Sequence, residues 1–82
     1  MKANEYDKKL GEIFRDARAV RIDSLTACFC PECVTNKFSW TVGRLMAIEN
    51  ADRAITGHEM VLLCRLYGLD IKETIEAVWG KG

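Results

Sequence analysis

The chain has 82 residues, 49% apolar and 29% charged, with lysine plus arginine equal to aspartate plus glutamate at 12 each. That length allows one domain with a small core, and the apolar share with a single proline excludes a disordered chain. Zero net charge excludes an overall basic polyelectrolyte, so any affinity for nucleic acid must come from a face where folding gathers cations.

No apolar run is long enough to cross a bilayer, and the segment from Met1 to Lys9 lacks the apolar core of a signal peptide. The expected location is therefore cytoplasmic. There the four cysteines are expected as thiols or metal ligands and not as structural disulfides. An enzyme is not expected: the chain has one histidine, no usefully spaced carboxylate pair and no glycine-rich phosphate loop.

Apolar Leu10, Ile13, Phe14 and Ala17 recur at helical spacing and predict a first helix from about Asn4 to Val20. A connector follows from Ile22 to Phe29, with the turn and cap formers Asp23, Ser24 and Thr26. Pro31 suits the first position of a second helix opening after Cys30, where a missing N–H costs nothing. Val34 and Phe38 share one face of that helix. Leu45 and Ile48 share a face of a third, running from about Val42 to Glu49, which Thr41 can cap. Trp40 lies between the two and can plug the angle between them. After a polar loop from Asn50 to Ile55, Thr56 and Glu59 form a capping box for a fourth helix carrying Met60, Leu63, Cys64 and Leu66 or Tyr67. Gly68 ends it as a left-handed cap. Asp70 and Glu73 repeat the capping pattern for a fifth helix with Ile71, Ile75, Val78 and Trp79. No alternating strand pattern is present. The reading is a single all-α domain over 1–82, with five helices and a helix-turn-helix at about 30–50, whose second helix can enter a DNA major groove.

From Leu10 to Ile75 the chain resembles the lambda-repressor-like, or Xre-type, family of DNA-binding domains. The residues that carry the resemblance are Leu10-Gly11 with Arg15 and Arg18, the helix-turn-helix, and Leu45-Met46-Ala47-Ile48-Glu49-Asn50, which is similar to the family's "LSRIEN" ending. Leu63 to Asp70 is similar to its "LAKALGVS" segment. Two departures stand out. The connector between helices 1 and 2 is lengthened, and Ser39 occupies a turn position where the family often has glycine.

The resemblance implies a transcriptional regulator of phage or bacterial repressor type, binding a double-stranded, palindromic operator as a homodimer. By position it implies that Thr41, Val42, Gly43 and Ala47 face the bases while Leu45 and Ile48 face the core. Thr41 can bond a base or a phosphate, and Val42 can touch a thymine methyl. Arg44 can read guanine, or instead meet a phosphate or an acidic neighbour. Lys37, Ser39, Asn50 and Arg53 flank the helix and suit phosphate contact. Arg15 and Arg18 can reach phosphate or pair with Glu12 or Asp16, and Glu49 is expected to orient Asn50 and the following loop. The neutral charge and the small Gly43 and Ala47 keep an alternative open. In it, a helix-turn-helix holds a protein partner, as a phage inhibitor of a host protein would.

Cys28, Cys30 and Cys33 cluster within six residues, and C-P-x-C resembles a zinc knuckle. Zinc is one reading, with Cys64 or His58 as the fourth ligand. A thiol switch at the start of helix 2 is another, and space-filling in the connector a third. Val78 and Trp79 on helix 5 are candidates for a dimer contact; Trp79 can equally fold back on helix 1 near Tyr6 and Leu10.

Overall fold

The computed structural model describes residues 4–22 and 29–80. These form five α-helices and no strand: α1 (Glu5–Arg21), α2 (Pro31–Phe38), α3 (Val42–Glu49), α4 (Gly57–Tyr67) and α5 (Ile71–Trp79). None is long and apolar enough to cross a membrane. The connector expected over Ile22–Phe29 lies mostly outside the described residues.

Local chemistry sets each boundary. Asn4 caps α1: its side chain accepts from the Asp7 N–H at 3.0 Å, and the Asp7 carboxylate accepts from the Asn4 N–H at 2.9 Å. The helix therefore begins one residue later than its apolar pattern suggests. Pro31 opens α2 as expected, and Ser39 ends it in the left-handed region at φ 58°. A side chain there costs about 1 kcal/mol that glycine would not incur. The Thr41 hydroxyl accepts from the Arg44 N–H at 3.1 Å and starts α3. The Thr56–Glu59 capping box opens α4, and Gly68 closes it at φ 69°. The Asp70 carboxylate accepts from the Glu73 N–H at 2.9 Å to open α5.

The core draws on every helix. Leu10, Phe14 and Ala17 come from α1, Val34 from α2, Leu45 and Ile48 from α3, Leu63, Cys64 and Tyr67 from α4, and Val78 from α5. α1 is the central rod and packs against α3, α4 and α5, while α2 packs on α3. Polar ties fix the ends. The Asp7 carboxylate also accepts from the Ile55 N–H at 3.0 Å, pinning the loop before α4 to the first turn of α1. The Arg21 guanidinium donates to the carbonyls of Ala17 at 2.8 Å and Tyr67 at 2.5 Å, joining the last turns of α1 and α4.

Two expected roles change. Arg18 pairs with neither Glu12 nor Asp16; it grips Glu49 through two parallel bonds, Nε to Oε2 at 2.7 Å and a terminal nitrogen to Oε1 at 3.0 Å. Glu49 is buried, with 4% exposure, so it is an inward fastener of α3 and not an orienting group for the surface loop. The reason is geometric. α1 and α3 approach so closely that the carboxylate at the end of α3 falls against the guanidinium on α1.

Gly11 permits that approach. A Cβ there would lie 2.6 Å from the carbonyl oxygen of Ile48 and 2.8 Å from that of Glu49, both backbone atoms that cannot swing aside. Gly11→Ala is therefore expected to destabilise the domain by about 2–3 kcal/mol by overpacking, although alanine is the better helix former. Urea unfolding checks this; unchanged stability would contradict the close crossing.

Candidate nucleic-acid interface

α3 has two distinct sides. Leu45 and Ile48 are fully buried, as their spacing predicts. Thr41, Val42, Gly43 and Arg44 are exposed, and Met46 and Ala47 are half-buried. Thr41, Val42 and Gly43 offer water a small, largely apolar surface at the start of the helix. Around it, Lys37, Ser39 and Asn50 are exposed and Arg53 is half-buried. Trp40 is half-buried between α2 and α3; its ring centroid is 4.7 Å from that of Phe38, and its backbone N–H donates to the Thr35 carbonyl at 2.9 Å. It thus fills the angle of the helix pair.

The main polar feature of this side is a cluster on Glu59: the sequence allowed Arg44 an acidic neighbour without naming it, and gave no sign that Arg53 joins the same carboxylate. Arg44 donates through Nε to Glu59 Oε2 at 2.8 Å. Arg53 donates to the same carboxylate through both terminal nitrogens, at 3.0 Å to Oε1 and 2.6 Å to Oε2. The Arg44 guanidinium carbon sits 4.3 Å from the centre of the Trp40 ring, within cation–π range. Glu59 was legible as a capping residue, and its Oε1 does accept from the Thr56 N–H at 3.1 Å. Its second task requires α3, the following loop and α4 to meet, which no local pattern encodes.

The cluster is electrostatically settled. Burial pushes the Glu59 carboxyl up. Hydrogen bonds from Arg53, the Thr56 N–H and Arg44, with the Arg53 charge, outweigh that and hold it at about 2. The hydrogen bond from Arg53 to Glu59 in turn raises the Arg53 guanidinium above its ordinary value. Two cations against one anion leave a net positive charge on a surface where Arg44 and Arg53 side chains remain 40% and 35% exposed.

Other candidates fall elsewhere. Arg15 lines a cleft between α1 and the end of α3 together with Lys8, Glu12, Asn50 and Ala51. Trp79 folds back on α1, stacking on Tyr6 with centroids 5.4 Å apart at 30°. Val78 belongs to the core, so its apolar surface is used within the chain. Cys30 occupies the N-cap position of α2 without a side-chain capping bond, and its sulfur lies 3.2 Å from that of Cys33. Cys33 is disulfide-bonded, which corrects the expectation of thiols or metal ligands throughout. Cys30 at the N-cap and Cys33 one turn on bring two sulfurs together at the start of α2. Cys28 lies outside the described residues. Cys64 is fully enclosed in the core, and burial pushes its thiol up. Among the described residues, Cys30, Cys33 and Cys64 do not come together as a three-ligand group for a metal ion.

Because the folded-state value of Glu59 is lowered, its contribution to stability is full above the unfolded carboxyl range and is lost as pH falls towards about 2. Acid unfolding is expected to remove roughly 2–3 kcal/mol through this group between about pH 5 and pH 2. Glu59→Gln is expected to be less stable at neutral pH and to lack this part of the pH profile. An unaltered profile would contradict the assignment. No protein-family model, curated protein or solved structure matches the chain, so the functional argument rests on this surface and on the residues that hold it.

Proposed function

We propose that the chain is a sequence-specific DNA-binding regulator of repressor type, which sets α3 in the major groove of an operator. The observation that supports this best is the two-sidedness of α3. Leu45, Ile48 and Glu49 anchor it from behind, while Thr41, Val42, Gly43 and Arg44 are exposed at its leading end. A rod fastened on one side and bare at its first turn is what groove insertion requires. Val42 and the half-buried Ala47 suit contact with thymine methyls, and the Thr41 hydroxyl keeps its proton to donate while its oxygen caps the helix. Small Gly43 lets the backbone approach closely. Lys37, Ser39, Asn50 and Arg53 are the flanking contacts to phosphate in this reading. A palindromic operator would call for two copies, with the exposed Tyr6–Trp79 stack as the surface through which they pair.

A second reading is favoured by a specific observation. Arg44 and Arg53 already hold Glu59, and the exposed start of α3 is mostly small or apolar. Such a face also suits a protein partner, with the helix-turn-helix serving as an interaction module.

A salt-titrated gel shift with the DNA upstream of the chain's own coding region separates the two. A regulator is expected to bind in the presence of competitor DNA, with affinity falling steeply as salt rises. Absence of binding even at low salt would overturn the DNA reading in favour of the protein partner.

A further inference from the structure

We propose that Arg44 and Arg53, gathered on Glu59 beside Trp40, form one preset site for a phosphodiester group of a nucleic-acid backbone, with Arg44 as an anchor and not a reader of bases. The inference rests on the DNA-binding reading and assigns a role within it.

The donor inventory carries the argument. Arginine has five N–H groups in a fixed plane. Arg44 uses Nε on Glu59, and its two terminal nitrogens make no hydrogen bond to any described residue. Arg53 uses its terminal nitrogens on Glu59 and the Ala54 carbonyl, the last at 2.8 Å, and makes no bond through Nε to a described residue. Donors therefore remain on both partly exposed guanidiniums, while Glu59, the group that would repel an anion, is 1% exposed and doubly paired.

The plane of Arg44 is also held in place. Its Nε is bound at 2.8 Å, and its guanidinium carbon rests 4.3 Å from the Trp40 ring centre. A guanidinium restrained before its ligand arrives loses less freedom on binding, and its planar fork matches two phosphate oxygens. The same restraint opposes base reading. Extending Arg44 to the floor of a groove would break its bond to a buried carboxylate and lift it off the indole, whereas phosphates line the rim.

Duplex affinity measured across salt concentrations tests this with the full chain, Arg44→Gln and Arg44→Lys, on a preferred and an unrelated duplex. Arg44→Gln is expected to reduce the slope of log affinity against log salt by about one and to weaken both duplexes by the same factor. Arg44→Lys, which keeps the charge but loses the fork, is expected to keep the slope and bind both duplexes several-fold more weakly. An unchanged slope in Arg44→Gln, or a loss confined to the preferred duplex, would overturn the inference while leaving the DNA reading intact. If Arg44→Gln does not fold, Arg44→Lys decides, and affinity equal to the parent overturns the proposal. A parent chain that binds neither duplex overturns the DNA reading and this inference with it.

Discussion

At Gly11 the backbone of α1 meets the last turn of α3, with no room for even one methyl group. Much else follows from that contact. It lets Arg18 reach Glu49 through two short bonds, so the carboxylate at the end of α3 is buried in a fitting partner. A buried pair of this kind adds little net stability over an apolar pair, but leaving one member alone costs several kcal/mol. It therefore acts as a register device: α3 rotated about its axis would strand Glu49. With that rotation set, Leu45 and Ile48 fall into the core, and Thr41, Val42 and Gly43 are turned to solvent.

The same arithmetic governs charge. A chain with 12 cations and 12 anions has few to spare, and several arginines are used internally. Arg18 fastens α3, Arg21 caps the ends of α1 and α4, and Arg44 with Arg53 neutralises Glu59. The exposed start of α3 is consequently small and nearly uncharged, and what positive charge it has beside it is concentrated where two guanidiniums share one carboxylate. On the proposed DNA-binding reading, such a surface would favour shape and methyl contacts in the groove, with a restrained arginine at the edge, over long side chains that reach for base edges.

Much of the architecture was legible because it is written locally. Pro31, Thr41, Thr56, Gly68 and Asp70 each mark a helix boundary by their own chemistry, and the apolar spacing of Leu10, Phe14 and Ala17 or of Leu45 and Ile48 marks the buried faces. The ion pairs were not legible. Arg18 and Glu49 are separated by 31 positions, and Arg44 and Glu59 by 15, so local spacing suggested nearer partners for Arg18 and left the acidic neighbour of Arg44 unnamed. Thr74 was missed for a different reason: it reads as polar, yet it is buried, and its hydroxyl is satisfied one turn back by donating to the Asp70 carbonyl at 2.8 Å. Trp79 was ambiguous because an aromatic on a terminal helix can serve either a core or a partner. Its stacking on Tyr6 depends on how α5 crosses α1.

The central claim is that α3, locked from behind through Gly11 and the Arg18–Glu49 pair, is the surface that meets DNA. Backbone amide shifts recorded while a duplex selected from random sequence is titrated into the labelled protein test it directly. The account predicts changes concentrated from Thr41 to Ala47 and at Arg53, with the buried residues of α1 unmoved. Changes confined to Tyr6 and Trp79, with Thr41 to Ala47 unmoved, or none at all, would contradict it.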